Sequence, residues 1–283
     1  MDEYSIRPGD RVAILMKNSP EFPLIFMALS SIGAVAVCLN SWWTSDELKY
    51  GFMDSKVKLV FTDEQRLAKI KGFVSDMGVQ TVLCRHQNSD KSDEFWNSLL
   101  TSTNNELPRT TIDQDSDFAV MYTSGSTGHP KGVVMTHRGA ISTLMSWHFG
   151  LRVLDVMGLG PVPYVDKNNQ PYQPCQLVSV PFFHVSGTHG GLLLALWSGT
   201  KLVIMKKWDP PEAVRLIELE KVSRFGGVPT MAAEILGEAK KVGAKLESIR
   251  LIDTGGAARP ADHRHRNALR HAQARARLGA QDD

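Results

Sequence analysis

A layered α/β fold, sheets with flanking helices, is predicted by three features of the sequence. Short runs rich in Val, Ile and Ala recur from residue 11 onward, each followed by a segment carrying helix caps or helical spacing. The chain is 283 residues long and 42% hydrophobic, enough to bury one large core or two modest ones. Repeats and low-complexity tracts are absent from it.

The elements follow in order. Residues 11–16 read as a strand, 20–31 as a helix and 34–39 as a second strand, which together make a β-α-β unit. Ser19 is expected to cap that helix, Pro20 to supply its fixed φ and Glu21 to match its dipole, while Ser30, Ser31 and Gly33 dilute and end it. Residues 22–45 carry no charge and approach the roughly 20 apolar residues of a membrane span. The cap and the break at Gly33 divide them instead into helix and strand. Thr44 and Glu47 form a capping box for a helix to residue 55, followed by a strand at 58–61, a helix at 64–75 and a strand at 81–84. The polar stretch 87–117 reads as a connector between two sheets around a short helix near 95–100. Strands are then expected at 118–122, 176–180, 223–226 and 248–252, with helices at 188–197, 210–221 and from Pro229 to about residue 240. The Pro-, Gly- and Asn-rich residues 152–174 read as an inserted exposed loop.

The net charge of +2 argues against a protein whose main task is a polybasic grip on nucleic acid or acidic lipid. Cys38, Cys84 and Cys175 lie far apart, with no zinc spacing and no even-numbered disulfide framework. With a polar, acidic start, the chain is expected to stay in the cytoplasm without a transmembrane segment.

The chemistry concentrates in Thr123, Ser124, Gly125, Ser126, Thr127, Gly128, His129, Pro130, Lys131 and Gly132. A turn rich in Gly, Ser and Thr frees backbone amides and hydroxyls to bind an anion, and one lysine adds a mobile point charge for phosphate. It is not the common NTPase loop, because Pro130 precedes Lys131 and Gly132 follows it. Taken by composition alone, such a stretch is also what a linker looks like.

The run from Tyr122 to Gly132, followed by Val133, Val134, Thr136 and His137, closely resembles the phosphate loop of the AMP-forming, adenylate-producing superfamily. That superfamily includes acyl-CoA synthetases, aryl-CoA ligases, luciferases and peptide-synthetase adenylation domains. Residues 7–13 and 33–40 resemble its N-terminal sheet region, and 181–187 and 255–257 resemble two further signatures in the expected order. The resemblance implies that Thr123 to Gly128 wrap the β and γ phosphates of ATP, that Lys131 neutralises departing pyrophosphate, and that Thr123 helps hold Mg²⁺. It places His184 on the acyl side, bordering a small-molecule carboxylate and the path of the CoA thiol. It places Gly255, Gly256 and Ala257 against adenine. Read from the residues alone, His184 between apolar neighbours is equally a packing histidine, His189 could share its role, and Gly255-Gly256 is equally a tight turn. Val228, Pro229 and Thr230 either line the acyl pocket or start a helix.

Residues 1–261 are therefore expected to be a partial adenylation domain. A Tyr-Gly-x-Thr-Glu segment and a small C-terminal domain with a catalytic lysine, which the resemblance implies, do not follow Ala257. Residues 262–283, rich in Arg, Ala, His and Gln, read as out-of-frame translation, with a genuine basic helix at 267–278 as the competing reading. The expected function is an AMP-forming acid:CoA ligase in truncated, inactive or impaired form. The alternatives are a non-catalytic nucleotide- or partner-binding remnant and another adenylating enzyme, amino-acid-activating or luciferase-like.

Overall fold

A computed structural model of the chain describes residues 4–85, 106, 109–123 and 128–255. The short helix expected near 95–100 and the arginine-rich tail lie outside the described residues. The chain divides into two compact units, one of residues 1–143 with 181–185, the other of residues 144–180 with 186–283.

The first unit is built on a sheet of β1 (Arg11–Leu15), β2 (Val35–Cys38), β3 (Leu59–Asp63), β4 (Gln80–Arg85), β5 (Asp117–Thr123) and β6 (Lys131–Thr136). Their spatial order is β4-β3-β1-β2-β5-β6. The first five strands run parallel, and β6 alone is antiparallel, folded back on β5. Val12 to Leu15 and Val35 to Cys38 are almost wholly buried, as continuous apolar runs must be in a parallel sheet covered on both faces. The helices are α1 (Glu21–Ser31), α2 (Ser45–Ser55) and α3 (Glu64–Ile70).

The capping box predicted at Thr44 and Glu47 is present, with both reciprocal hydrogen bonds. The Ser19 cap is not. Pro20 itself occupies the cap position in helical geometry, and the buried Ser19 hydroxyl donates to the Met16 sulfur at 3.5 Å. Gly33 ends α1 as expected: its φ of 71° is left-handed backbone that favours glycine. The helix predicted over 64–75 stops at Ile70 because Phe73 and Val74 turn into the core, in tighter turns that continue to Gly78.

The second unit carries β7 (Cys175–Val178), β8 (Lys201–Ile204), β9 (Arg224–Gly227) and β10 (Leu251–Thr254) as a parallel sheet in the order β10-β9-β7-β8. Helix α4 (His137–Val156) leads into it; its last five residues replace the start of the loop predicted at 152–174. The segment predicted as one α-helix over 188–197 is a π-helix (Ser186–Leu193) followed by α5 (Leu194–Ser198). Gly187, Gly190 and Gly191 remove the side chains that a widened turn would crowd, and a Cβ on Gly191 would already touch Val178 at 3.4 Å. Helices α6 (Pro210–Glu220) and α7 (Pro229–Val242) pack Ala213, Val214, Ile217, Ala232 and Ile235 with Leu177 and Phe225 of the sheet. Val228 precedes Pro229 at the first turn of α7, which is the helix-start reading of that segment.

Helix α2 approaches the sheet through Gly51. A Cβ there would stand 2.9 Å from Cζ3 of the buried Trp43 ring and 3.1 Å from Leu39 Cδ2. Overpacking costs about 1–3 kcal/mol, against the roughly 1 kcal/mol that alanine gains over glycine in a helix. Gly51→Ala is therefore expected to lower stability in denaturant unfolding, and a more stable variant would show that the contact is looser than described.

Candidate functional site

In an open α/β sheet, ligands gather outside the carboxyl ends of the parallel strands. In the first unit β1, β2 and β5 lie side by side and end on one edge, and β6 begins there. Thr123, the last residue of β5, is paired directly across the ladder with Lys131, the first of β6. The hydroxyl and the ammonium thus start from one point of the sheet, and both residues are exposed. Gly128, in the turn between them, has φ 99°, which an L side chain adopts only with strain. Ser124, Gly125, Ser126 and Thr127 lie outside the described residues.

The strand side of this turn is fixed by Tyr122. Its phenol donates to Asp54 Oδ2 at 2.7 Å and to the Gly51 carbonyl at 3.3 Å, and its ring meets Trp43 edge-on at 5.2 Å. Burial, and then the Asp54 carboxylate, hold the phenol pKa well above its ordinary range, so Tyr122 remains a donor.

His184 belongs to the same unit, in the segment Pro181–Val185. The Phe182 amide donates to Asn18 Oδ1 at 2.9 Å, and the Phe182 ring stacks on Phe22 at 5.3 Å. Phe183 meets Trp42 edge-on at 5.2 Å, and the His184 ring lies 4.6 Å from Phe183. Asn18 follows β1 and Trp42 follows β2, so His184 is held at the edge that also carries Thr123 and Lys131. Burial depresses its imidazole pKa, leaving it neutral near pH 7. The ring packs on an aromatic, as the packing reading of His184 expects. Trp42 was not singled out from sequence; it is 63% exposed, unusual for so large an apolar side chain beside a candidate site.

A second feature escaped sequence reading. The nearly buried Arg66 pairs with Asp63 at 3.2 Å and donates from Nε to the Ser41 carbonyl at 3.1 Å. Asp63 caps α3 and accepts from the Lys17 amide at 3.2 Å. One ion pair thus ties together the loops that follow β1, β2 and β3. Asp63 three residues before Arg66, at a helix start, was the available signal.

Gly255 lies at the carboxyl end of β10 in the second unit, where its amide donates to the Gly227 carbonyl at 3.0 Å. Gly256 and Ala257 lie outside the described residues. His189 is buried in the π-helix of the second unit, its Nδ1 3.2 Å from Thr188 Oγ1. Among the described residues no group of three or more His, Cys, Asp or Glu is arranged to hold a metal ion. Thr123 offers one hydroxyl and no carboxylate set, so the described donors do not by themselves make a magnesium site. No described helix is long and apolar enough to cross a membrane.

His137, His184 and His189 all have pKa values lowered by burial. Below about pH 6.5 the unfolded chain takes up protons that the folded chain refuses, so stability falls as pH drops. The thermal midpoint is expected to decline between about pH 7 and pH 5, above the range where carboxylates titrate. His189→Gln should flatten that decline, whereas an unchanged slope in both His184→Gln and His189→Gln would remove the burial argument.

A family model described as AMP-binding enzyme matches residues 2–274. The 4-coumarate–CoA ligase CCL1 of Humulus lupulus is 31% identical over 280 residues, covering 99% of this chain and 48% of its own. The 4-coumarate–CoA ligase of Vanilla planifolia is 29% identical over 284 residues, with the same two coverages of 99% and 48%. Among solved structures, the N-terminal domain of FACL13 from Mycobacterium tuberculosis matches with a TM-score of 0.77 at 25% identity, over 96% of this chain and 62% of that one. ATP-bound MatB from Rhodopseudomonas palustris shares the fold, with a TM-score of 0.76 at 22% identity over 94% of this chain and 49% of that one. The chain spans about half the length of the curated relatives it matches. With a match over nearly its whole length, the chain belongs to the AMP-binding enzyme family.

Proposed function

We propose that this chain carries the ATP-binding half-site of an AMP-forming acid:CoA ligase. The observation that carries the reading is the pairing of Thr123 with Lys131 at the ligand edge of a parallel sheet, within a chain 31% identical to a 4-coumarate–CoA ligase. In this reaction a carboxylate oxygen attacks the α-phosphorus of ATP, the bond to the β-phosphate breaks, and pyrophosphate leaves with the electron pair. The CoA sulfur then attacks the acyl carbon and AMP departs. The first step brings an anion to an anion, so it needs cations and donors aimed at the phosphates.

Lys131 is proposed to neutralise the leaving pyrophosphate, with Thr123 to Gly128 donating hydroxyls and amides to the β and γ phosphates. His184, neutral and held by Phe183, borders the carboxylate without adding charge to the acyl side. Gly255, Gly256 and Ala257 are proposed to lie against adenine. Thr123 would offer its hydroxyl to the magnesium that accompanies ATP. Residues 1–261 are proposed as the part of the adenylation domain that carries these groups.

Carboxylate-dependent exchange of pyrophosphate into ATP tests the reading. 4-Coumarate is the first carboxylate to try, since it is the acid named by the sequence relatives, with a fatty acid as the second. Exchange with a carboxylate, and an about 100-fold loss in Lys131→Ala, is the expected result. ATP binding without exchange would instead mark a nucleotide-binding module, exchange only with amino acids an amino-acid-activating enzyme, and no ATP binding would overturn the reading.

A further inference from the structure

Among the described residues β6 has β5 as its only sheet neighbour, so the ladder alone leaves the turn end of this hairpin weakly held. Helix α2 supplies the missing support at three points. The Tyr50 ring stacks on His129 with centroids 4.7 Å apart and planes 19° from parallel, so the helix grips the return arm of the turn two residues before Lys131. Asp54, one helical turn further on, accepts the Tyr122 phenol at 2.7 Å and so grips the outgoing arm one residue before Thr123. Gly132 lets the arms close on the helix: a Cβ there would stand 3.2 Å from Val120 Cγ1, 3.3 Å from Tyr122 Cζ and 3.4 Å from Asp54 Oδ2. Positions 50 and 54 share one face of α2, because residues four apart in a helix lie one above the other.

We infer that Tyr50 and Asp54 are positioning residues for phosphate binding, holding the two arms of the β5–β6 hairpin so that Thr123 and Lys131 meet the same polyphosphate. The inference rests on the proposed reading of this edge as an ATP site. Neither residue touches the phosphates. Tyr50 acts through His129 on the lysine arm, and Asp54 acts through Tyr122 on the threonine arm. Restricting the arms before ATP arrives lowers the ordering cost that binding would otherwise meet.

The test is ATP affinity by titration calorimetry on the full 283-residue chain, at a temperature where circular dichroism shows every variant fully folded. Tyr50→Ala and His129→Ala are each expected to weaken ATP binding roughly three- to tenfold, the range set by one aromatic pair. Tyr50→Phe, which keeps the stacked ring, should restore most of that loss. The double variant should bind no worse than the weaker single one, because both changes remove the same contact. Support of folding alone would leave the affinity of the fully folded protein unchanged and the losses uncoupled. If Tyr50→Ala does not fold, His129→Ala at the exposed end of the stack decides. Wild-type affinity in these variants, or losses that simply add, with Lys131→Ala still impaired, would overturn the positioning role and leave the ATP site standing. A wild-type chain that binds no ATP, or binds it as well with Lys131→Ala, would overturn both.

Discussion

Antiparallel pairing of β6 with β5 is the constraint on which the candidate site depends. Every other described strand of the first sheet runs parallel and needs a crossover to return, which separates the residues at its two ends. The antiparallel ladder lets a strand-end hydroxyl and a lysine begin at paired backbone positions. A mobile ammonium on an exposed lysine is a poor phosphate ligand until its stem is anchored, and the ladder anchors it. The sheet also fixes which edge that is, because β1, β2 and β5 end together beside it.

That edge is held by polar contacts placed where the strands stop. Asp63 and Arg66 tie three loops, Asn18 receives the Phe182 amide, and Asp54 receives Tyr122. A buried ion pair adds little net stability, since desolvation offsets much of its attraction. Its contribution here is geometric: the Asp63 carboxylate accepts backbone amides from two segments while Arg66 donates to a third. Aromatic packing does the rest, with Phe22, Phe182, Phe183 and Trp42 carrying His184 to the same edge.

Much of this was legible in the sequence wherever a local rule acted alone. The Thr44 and Glu47 box, the stop at Gly33 and the alternation of strands and helices in the first 85 residues were all read from short-range pattern, whereas strand β6 and its pairing of Lys131 with Thr123 were not foreseen. Failures came where tertiary packing competed with local preference. Ser19 looked like a cap, but burial turned its hydroxyl to Met16. Helix α4 was not foreseen, although Ile141, Leu144, Met145 and Phe149 follow the i, i+3, i+4, i+8 spacing of a helix. The π-helix depended on three glycines and on Val178, which is distant in sequence. Asp54 and Tyr50 were invisible as parts of the site, since their partners lie more than sixty residues away.

Lysine footprinting reads whether this sheet edge receives the polyphosphate of ATP. Acylation of the 283-residue chain, read by mass spectrometry, compares Lys131 with Lys58, which precedes β3 at the opposite edge of the same sheet. ATP and inorganic pyrophosphate should each protect Lys131 while Lys58 is labelled as before. Equal labelling of Lys131 with and without ATP, at concentrations where ATP is bound, would mean that the polyphosphate does not lie at this edge.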